Sequence, residues 1–377
     1  MGPLRGLRII ELGGIGPAPF CGMLLADLGA DVIMVERAGP SLMVPRKSDI
    51  SCRGKRSIIL DLKSKDGVEA FLQVARTADA VFEGFRPGVA ARLGVGPDDC
   101  RAANARLVYA HMTGWGQDGP LAQAAGHDIN YLALSGALYS MGRAGEPPAP
   151  PLNLVADYGG GAMMMALGIV SAILEAKSSG QGQVIDVSMV EGASLLMSLY
   201  HSLDHAGLWN RARDGNFLDG CAPFYDTYKT KDGGFISIGA LEPQFYAALC
   251  AHLALPMDVF AHQHDRARWD EQKAHLTLLF LTRTRDEWAA LLEGTETCFA
   301  PVLEFWEAAK HPHNAARGAF IDVAGQQQPA PQPRFSRTKA DVSGPGPAPG
   351  AHSADILRDA GLSQAQIAAL ISTDHNK

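Results

Sequence analysis

The sequence predicts an α/β fold: a large, Rossmann-like, doubly wound domain joined to a smaller α+β domain. Three observations carry this. Apolar runs of strand length alternate with segments of helical period through the first half of the chain, which implies a parallel sheet. From about residue 222 the pattern changes to two alternating runs around a Gly-Gly turn, followed by helices. The chain has 377 residues, enough for two domains.

The elements read in order. "LRIIEL" (7–12) is a buried strand, "GGIGP" breaks it, and "APFCGMLLADLGA" (18–30) is a helix with Phe20, Met23, Leu24 and Leu28 at helical spacing. "DVIMVER" (31–37) closes the first strand–helix–strand unit. Strands follow at 57–62, 79–85 and 107–116, with helices at 65–78 and 88–95 between them. A Gly/Pro-rich loop begins at 142, a Met-rich helix runs from 161 to 177, "GQVIDVSM" (182–189) is a strand, and 190–203 reads as one helix. The large domain spans 1–200, with a linker helix over 201–221. The small domain spans 222–320, with a hairpin at 223–240 and helices at 242–253, 265–280 and 284–293. Residues 321–352 form a Pro/Gly-rich linker. The last helix, "SQAQIAALIS", needs another surface to cover its apolar face.

Composition narrows the function. The chain is 47% hydrophobic and 19% charged, with a formal net charge of −7. A general nucleic-acid binder needs a basic surface, so nucleic acid is not an expected partner. The six cysteines form no CxxC pair and no His-Cys cluster, so no metal is expected. The start has no signal-peptide layout, and a cytoplasmic setting with reduced thiols is the expectation. The apolar run 161–174 is too short for a ~20-residue membrane span, so no membrane is expected either. A dinucleotide fingerprint fails at the first turn: Gly14-Ile15-Gly16 is followed by Pro17, Ala18 and Pro19, where a pyrophosphate would need open backbone.

Several stretches together resemble the family III CoA-transferases and, within them, the α-methylacyl-CoA racemases. They are "LRIIELGGIGPAPFCGMLLADLGADVIMVER", "RGKRSIILDLK", "GFRPGV", "GHDINYLALSGAL", "PLNLVADYGGG", "GQVIDVSMVEG" and "PFYDTYKTKDGGFISIGALEPQFY", and they cover nearly the whole chain. The resemblance implies a large CoA-binding domain built from both ends of the chain, with 1–200 completed by the C-terminal segment 330–377. It implies an interlocked, ring-like homodimer acting on acyl-CoA thioesters without a further cofactor. It implies catalytic roles for His127, Asp128, Asp157 and Glu242, the last supplied by the partner chain. It places the CoA moiety against Arg37, Leu60, Asp61, Leu62, Lys63, Glu83, Phe85, Arg86 and Arg92. Gly126, Ile129, Asn130 and Tyr131 are implied at the substrate as well. The basic stretch 46–56, with Arg46 and Lys47, reads as a mobile phosphate-facing loop.

The residue types suit a definite chemistry. A thioester makes its α-proton weakly acidic, and inverting the α-carbon takes a base on one face and an acid on the other. His and Asp start near roughly 6.5 and 3.9. Burial raises a carboxyl toward the imidazole, so the two can trade protons as a coupled pair. Acid–base work supplies about 10² to 10⁴ in rate. The enolate needs donors too, and the Asp128 N–H at a helix start is one. Each residue also has an ordinary reading. His127 and Asp157 suit helix caps, Glu242 before Pro243 suits a helix start, and single arginines suit solvated surface. Of Met163, Met164 and Met165, at least one belongs to the core. Two other functions remain open: a CoA-transferase using Asp157 as nucleophile, and an acyl-CoA-binding protein without catalysis.

Overall fold

The computed structural model describes residues 2–39 and 44–374, with side chains up to 371. Two compact units are present. The larger comprises the chain up to Ser135, Pro151–Leu196 and everything from Gly318 on; the smaller comprises Gly136–Pro150 and Met197–Arg317.

The larger unit is built on six parallel strands. In chain order they are β1 (Arg8–Leu12), β2 (Asp31–Glu36), β3 (Arg56–Ile59), β4 (Ala80–Glu83), β5 (Val108–Thr113) and β6 (Val184–Ser188). Their spatial order is β3-β2-β1-β4-β5-β6. All residues of β4 and β5 are buried, because helices cover both faces of a parallel sheet. That is why these strands read as continuous apolar runs. The helices are α1 (Pro17–Asp27), α2 (Lys65–Ala75), α3 (Val89–Arg92), α4 (Pro97–Ala103), α5 (Asp128–Leu134), α6 (Met163–Ser179) and α7 (Met189–Leu196). Phe71, Tyr109, Ile10 and Ile33 lie in one core cluster and are fully buried. Each such side chain contributes about 1.5–3 kcal/mol on burial.

Three sequence expectations change here. The Met-rich helix is preceded by a π-helical turn, Leu154–Ala162. The two make one rod, Leu154–Ser179, of 26 residues, long and apolar enough by length and composition to cross a membrane. The run at 161–174 is thus part of a longer apolar helix than the expectation allowed. Its buried residues Met165, Ile169, Ala172, Ile173 and Ala176 belong to a helix packed on β5. The helix expected over 190–203 breaks at Met197, where the larger unit hands over to the smaller.

The smaller unit holds α8 (Ser198–His205) and an antiparallel sheet of β7 (Tyr225–Lys229), β8 (Phe235–Gly239) and β9 (Phe299–Val302). Helices α9 (Pro243–His252), α10 (Met257–Phe260), α11 (Trp269–Phe280), α12 (Arg285–Leu292) and α13 (Pro312–Ala316) complete it. Phe224, Tyr228, Ile236, Phe280 and Trp288 form its core. Back in the larger unit, β10 (Phe320–Val323) and β11 (Gln326–Pro329) pair as a hairpin inside the stretch read as a linker. α14 (Ser353–Asp359) and α15 (Gln364–Asp374) follow, and Ile356, Leu357 and Ile367 join the sheet's core. The last helix thus finds its surface on the larger unit.

The basic stretch 46–56 is pinned rather than mobile. The Lys55 ammonium is buried and donates to Glu11 at 2.5 Å and to the Pro19 carbonyl at 2.9 Å. Gly22 on α1 leaves the room, since a Cβ there would fall 2.0 Å from Glu11 Oε2. Arg53 makes a buried bidentate pair with Asp27 at 2.5 and 3.0 Å and donates to Gln328 of the hairpin at 2.9 Å. Arg46 pairs with Glu36, and Arg56 with Asp31. These cations are spent inside the fold, and Lys47 alone of the stretch's basic residues is exposed without an ion pair among the described residues. Removing one member of a buried pair leaves the other uncompensated, at about 3–5 kcal/mol. Lys55→Met is accordingly expected to lower unfolding free energy by about 3–5 kcal/mol in urea titration. A loss below about 1 kcal/mol would show that Glu11 needs no partner.

Candidate active site

A parallel sheet puts every strand's carboxyl end on one edge, and the order reverses between β1 and β4. Ligands bind such sheets in the crevice at that reversal. The turn after β1 ends in Gly16, whose φ of 72° suits glycine, and Pro17 then opens α1. A Cβ on Gly16 would lie 3.7 Å from Asp157 Oδ2. The prolines that spoil the dinucleotide fingerprint therefore start a helix, and the turn before them faces a carboxylate. The β4 loop abuts the same place, because a Cβ on Gly84 would lie 3.5 Å from Ala18 Cβ.

His127 is the N-cap of α5, in extended conformation, and its side chain makes no capping hydrogen bond. The cap is closed from the other side: Asn130 Oδ1 accepts from the His127 N–H at 3.1 Å. The imidazole is exposed and makes no hydrogen bond among the described residues. The loop before it is locked by Tyr131, whose hydroxyl donates to the Gly126 carbonyl. The Tyr131 ring lies edge-on to Trp115, centroids 4.8 Å apart. It occupies the space a Cβ on Gly114 would need, 2.0 Å from its Cε1. Burial, the charge on Asp157 and that on Asp128 push the Tyr131 hydroxyl up, while Arg86 works the other way. Ile129, next along α5, is exposed.

Asp128 is 5% exposed. Its Oδ1 accepts from the Ala156 N–H at 2.9 Å and the Asp157 N–H at 2.7 Å. The start of α5 and the π-helical turn are thereby tied through one carboxylate oxygen. Asp157 is half-buried, and Asn153, one turn earlier, donates to its Oδ2 at 3.3 Å. Burial raises the Asp157 carboxyl above its ordinary 3.8; the Asn153 bond lowers it, the Asp128 charge raises it and His127 lowers it. The two groups expected to trade protons thus belong to segments that meet at one junction, and the Asp157 carboxyl senses the His127 charge.

The three glycines after Asp157 do not leave space for a ligand. A Cβ on Gly160 would fall 2.6 Å from the Ala193 nitrogen, and one on Gly192 would fall 2.0 Å from the Gly160 carbonyl oxygen. Gly161 is filled by Met189 and Met112. The glycines let α7 press against the π-helical turn. Such turns are rare and often mark functional sites, and nothing in local sequence announces this one.

The residues implied for CoA lie after successive strands. Arg37 follows β2; Leu60, Asp61, Leu62 and Lys63 follow β3; Phe85, Arg86 and Arg92 follow β4. Arg37, Lys63, Arg86 and Arg92 are exposed, without an ion pair among the described residues. Gly88 gives way to Arg92, whose Nη1 would lie 3.2 Å from a Cβ there. Two side chains are corrected. Leu60 is core at 2% exposure. Glu83 is equally buried; its carboxylate faces His111 Nδ1 at 2.5 Å and accepts from the Phe85 N–H, so it shapes the β4 loop instead of meeting a ligand. His111 and Asn153 were missed in the sequence. Asn153 had a signal, its four-residue spacing from Asp157; His111 had none, since its partner lies on a neighbouring strand.

Glu242 belongs to the smaller unit. It is the exposed N-cap of α9, its side chain makes no capping bond, and Pro243 is the helix's first residue. Met165 is core while Met163 is exposed and Met164 half-buried, as their spacing requires. No group of three or more His, Cys, Asp or Glu among the described residues could hold a metal ion.

A six-stranded parallel sheet of this order, with His127 and Asp157 at its crevice and exposed cations after β2, β3 and β4, suits a ligand rich in phosphate, and comparison gives the family. The profile of CoA-transferase family III matches residues 4–353, and the chain belongs to that family. It is 47% identical over 372 residues to the alpha-methylacyl-CoA racemase of Mus musculus, covering 98% of this chain and 96% of that one. It is 43% identical to the alpha-methylacyl-CoA racemase of Homo sapiens, covering 97% and 95%. Among solved structures, a CaiB/BaiF family protein from Brucella suis superposes with a TM-score of 0.82 at 28% identity, covering 95% and 99%.

The Asp157 shift has a consequence for stability. Its carboxyl is raised in the folded chain, so between its ordinary 3.8 and the raised value the folded state holds a proton the unfolded state has lost. Stability therefore falls as pH rises through that window. Asp157→Asn removes the penalty. Its melting temperature is expected to exceed the parent's at pH 7 and to match it below 3.8. Parallel melting curves at every pH would contradict the shift.

Proposed function

We propose that this protein is an α-methylacyl-CoA racemase, interconverting (2R)- and (2S)-2-methylacyl-CoA thioesters by 1,1-proton transfer through an enolate. One observation carries the reading: the Asp128 side chain accepts from the backbone N–H of Asp157, and so brings that residue to the start of the helix that His127 caps. The names of its relatives support the same assignment.

In this reading one group takes the α-proton and the other returns a proton to the opposite face, so each turnover leaves the pair with its protonation states exchanged. Burial brings Asp157 toward the imidazole and lowers the cost of that exchange. The Asp128 N–H has no acceptor within its own helix, and it serves the enolate oxygen as a fixed donor. Arg37, Lys63, Arg86 and Arg92 take the phosphates of CoA, which favour guanidinium forks and fixed positive charge. Met163 and Met164 offer a deformable surface to the acyl tail. The acyl-CoA is the only nucleotide the scheme asks for. The functional molecule is an interlocked homodimer, with the partner's Glu242 steadying the imidazolium of His127, and it works in the cytoplasm.

Incubating one epimer in heavy water tests the scheme. One deuterium at the α-carbon and a mixture of both epimers are expected. His127→Ala and Asp157→Ala are each expected to lose at least about 10²-fold in rate. Full activity in either variant sinks the two-base scheme. Absence of isotope uptake, with an acyl group on Asp157 that hydroxylamine captures, assigns CoA transfer instead.

A further inference from the structure

We propose that the Asp128 carboxylate is the positioning residue of Asp157: it holds that residue's peptide N–H against the start of α5 and sets the electrostatic environment of its side chain. This rests on the two-base reading above and assigns a role to a side chain that the reaction does not touch.

The geometry is asymmetric in a telling way. One oxygen of Asp128 accepts both the Ala156 and Asp157 N–H groups, at 2.9 and 2.7 Å. The other oxygen is buried and has no hydrogen-bond partner. No cation pairs with the carboxylate among the described residues, although it is 5% exposed. A buried charge left partly unsatisfied is costly, and a neutral acceptor would serve the two N–H groups at less cost. What the charge adds is its field. The charged groups acting on Asp157 are Asp128, which raises its carboxyl, and His127, which lowers it. α1, α6, α7, β5 and β6 also pack on the π-helical turn, and neither Glu191 on α7 nor Asp186 on β6 enters that balance. Tyr131, on α5, is itself coupled to both carboxylates and to Arg86. Asp128 therefore does two separable things. It fixes where Asp157 stands, and it helps keep the Asp157 proton bound closer to the range in which imidazole exchanges protons.

Two substitutions separate these. Asp128→Asn keeps a side-chain oxygen for the two N–H groups and removes the charge. Asp128→Ala removes both. The primary readout is the titration of Asp157 in the unliganded protein, followed by carbon NMR of labelled aspartate carboxyls and assigned with Asp157→Asn. In Asp128→Asn the Asp157 midpoint is expected to move down, and racemisation to persist. The acid limb of kcat/KM is expected to move down for the epimer that Asp157 deprotonates, and the alkaline limb for the other. In Asp128→Ala, kcat is expected to fall about 10²-fold with KM nearly unchanged, because the reacting group is displaced while the CoA contacts remain. An unmoved Asp157 midpoint in Asp128→Asn overturns the proposal, and so does parental kcat in a folded Asp128→Ala. Should Asp128→Ala fail to fold, the asparagine titration decides alone. Should the parent show no isotope uptake, the racemase reading falls, and the titration still decides whether Asp128 governs Asp157.

Discussion

Everything at the crevice depends on one oxygen atom. Asp128 Oδ1 receives the N–H groups of Ala156 and Asp157, and so joins a seven-residue helix to a π-helical turn that no other side-chain hydrogen bond among the described residues ties to it. Without it, His127 and Asp157 would belong to segments 30 positions apart that share only their packing, on each other and on α7. The supports are arranged around that bond. Tyr131 steadies the loop entering α5, Asn153 steadies the carboxylate, and α7 presses the turn from behind through glycines.

The second constraint is how positive charge is divided. Arg46, Arg53, Lys55 and Arg56 are consumed by Glu36, Asp27, Glu11 and Asp31, and those bonds knit α1, β2, β3 and the terminal hairpin into the larger unit. Arg37, Lys63, Arg86 and Arg92 stay outside, in the segments that follow β2, β3 and β4. Only the second set is free to meet a phosphate-rich ligand. The first set resembles it in sequence, and its true role lies in partners 10 to 44 positions away, which no local pattern reveals.

That contrast explains what was legible. The parallel sheet could be read because its strands are buried on both faces and therefore apolar throughout, as in Val81, Phe82 and Tyr109. The hairpin of the smaller unit could be read from alternation around Asp232-Gly233-Gly234. β10 and β11 escaped because Gln326-Gln327-Gln328-Pro329 carries no apolar alternation, and its pairing is almost wholly a matter of backbone. The π-helical turn escaped because it is shaped by α7, some 30 residues later. At the crevice, resemblance and chemistry together singled out His127 and Asp157, whose segments the fold brings side by side. Glu83 was misplaced because a carboxylate next to a ligand loop and a carboxylate beneath it look alike in one dimension.

The contact between Gly160 and Gly192 carries a consequence for how this scaffold diversifies. Main chain meets main chain there, with the Gly160 carbonyl oxygen 2.0 Å from where a methyl group on Gly192 would begin. Mutation can therefore neither pad nor loosen the wall behind the π-helical turn without shifting a whole helix. Variation in shape is left to the outward sides of α5 and α6, where Ile129, Leu134, Met163 and Leu167 stand exposed.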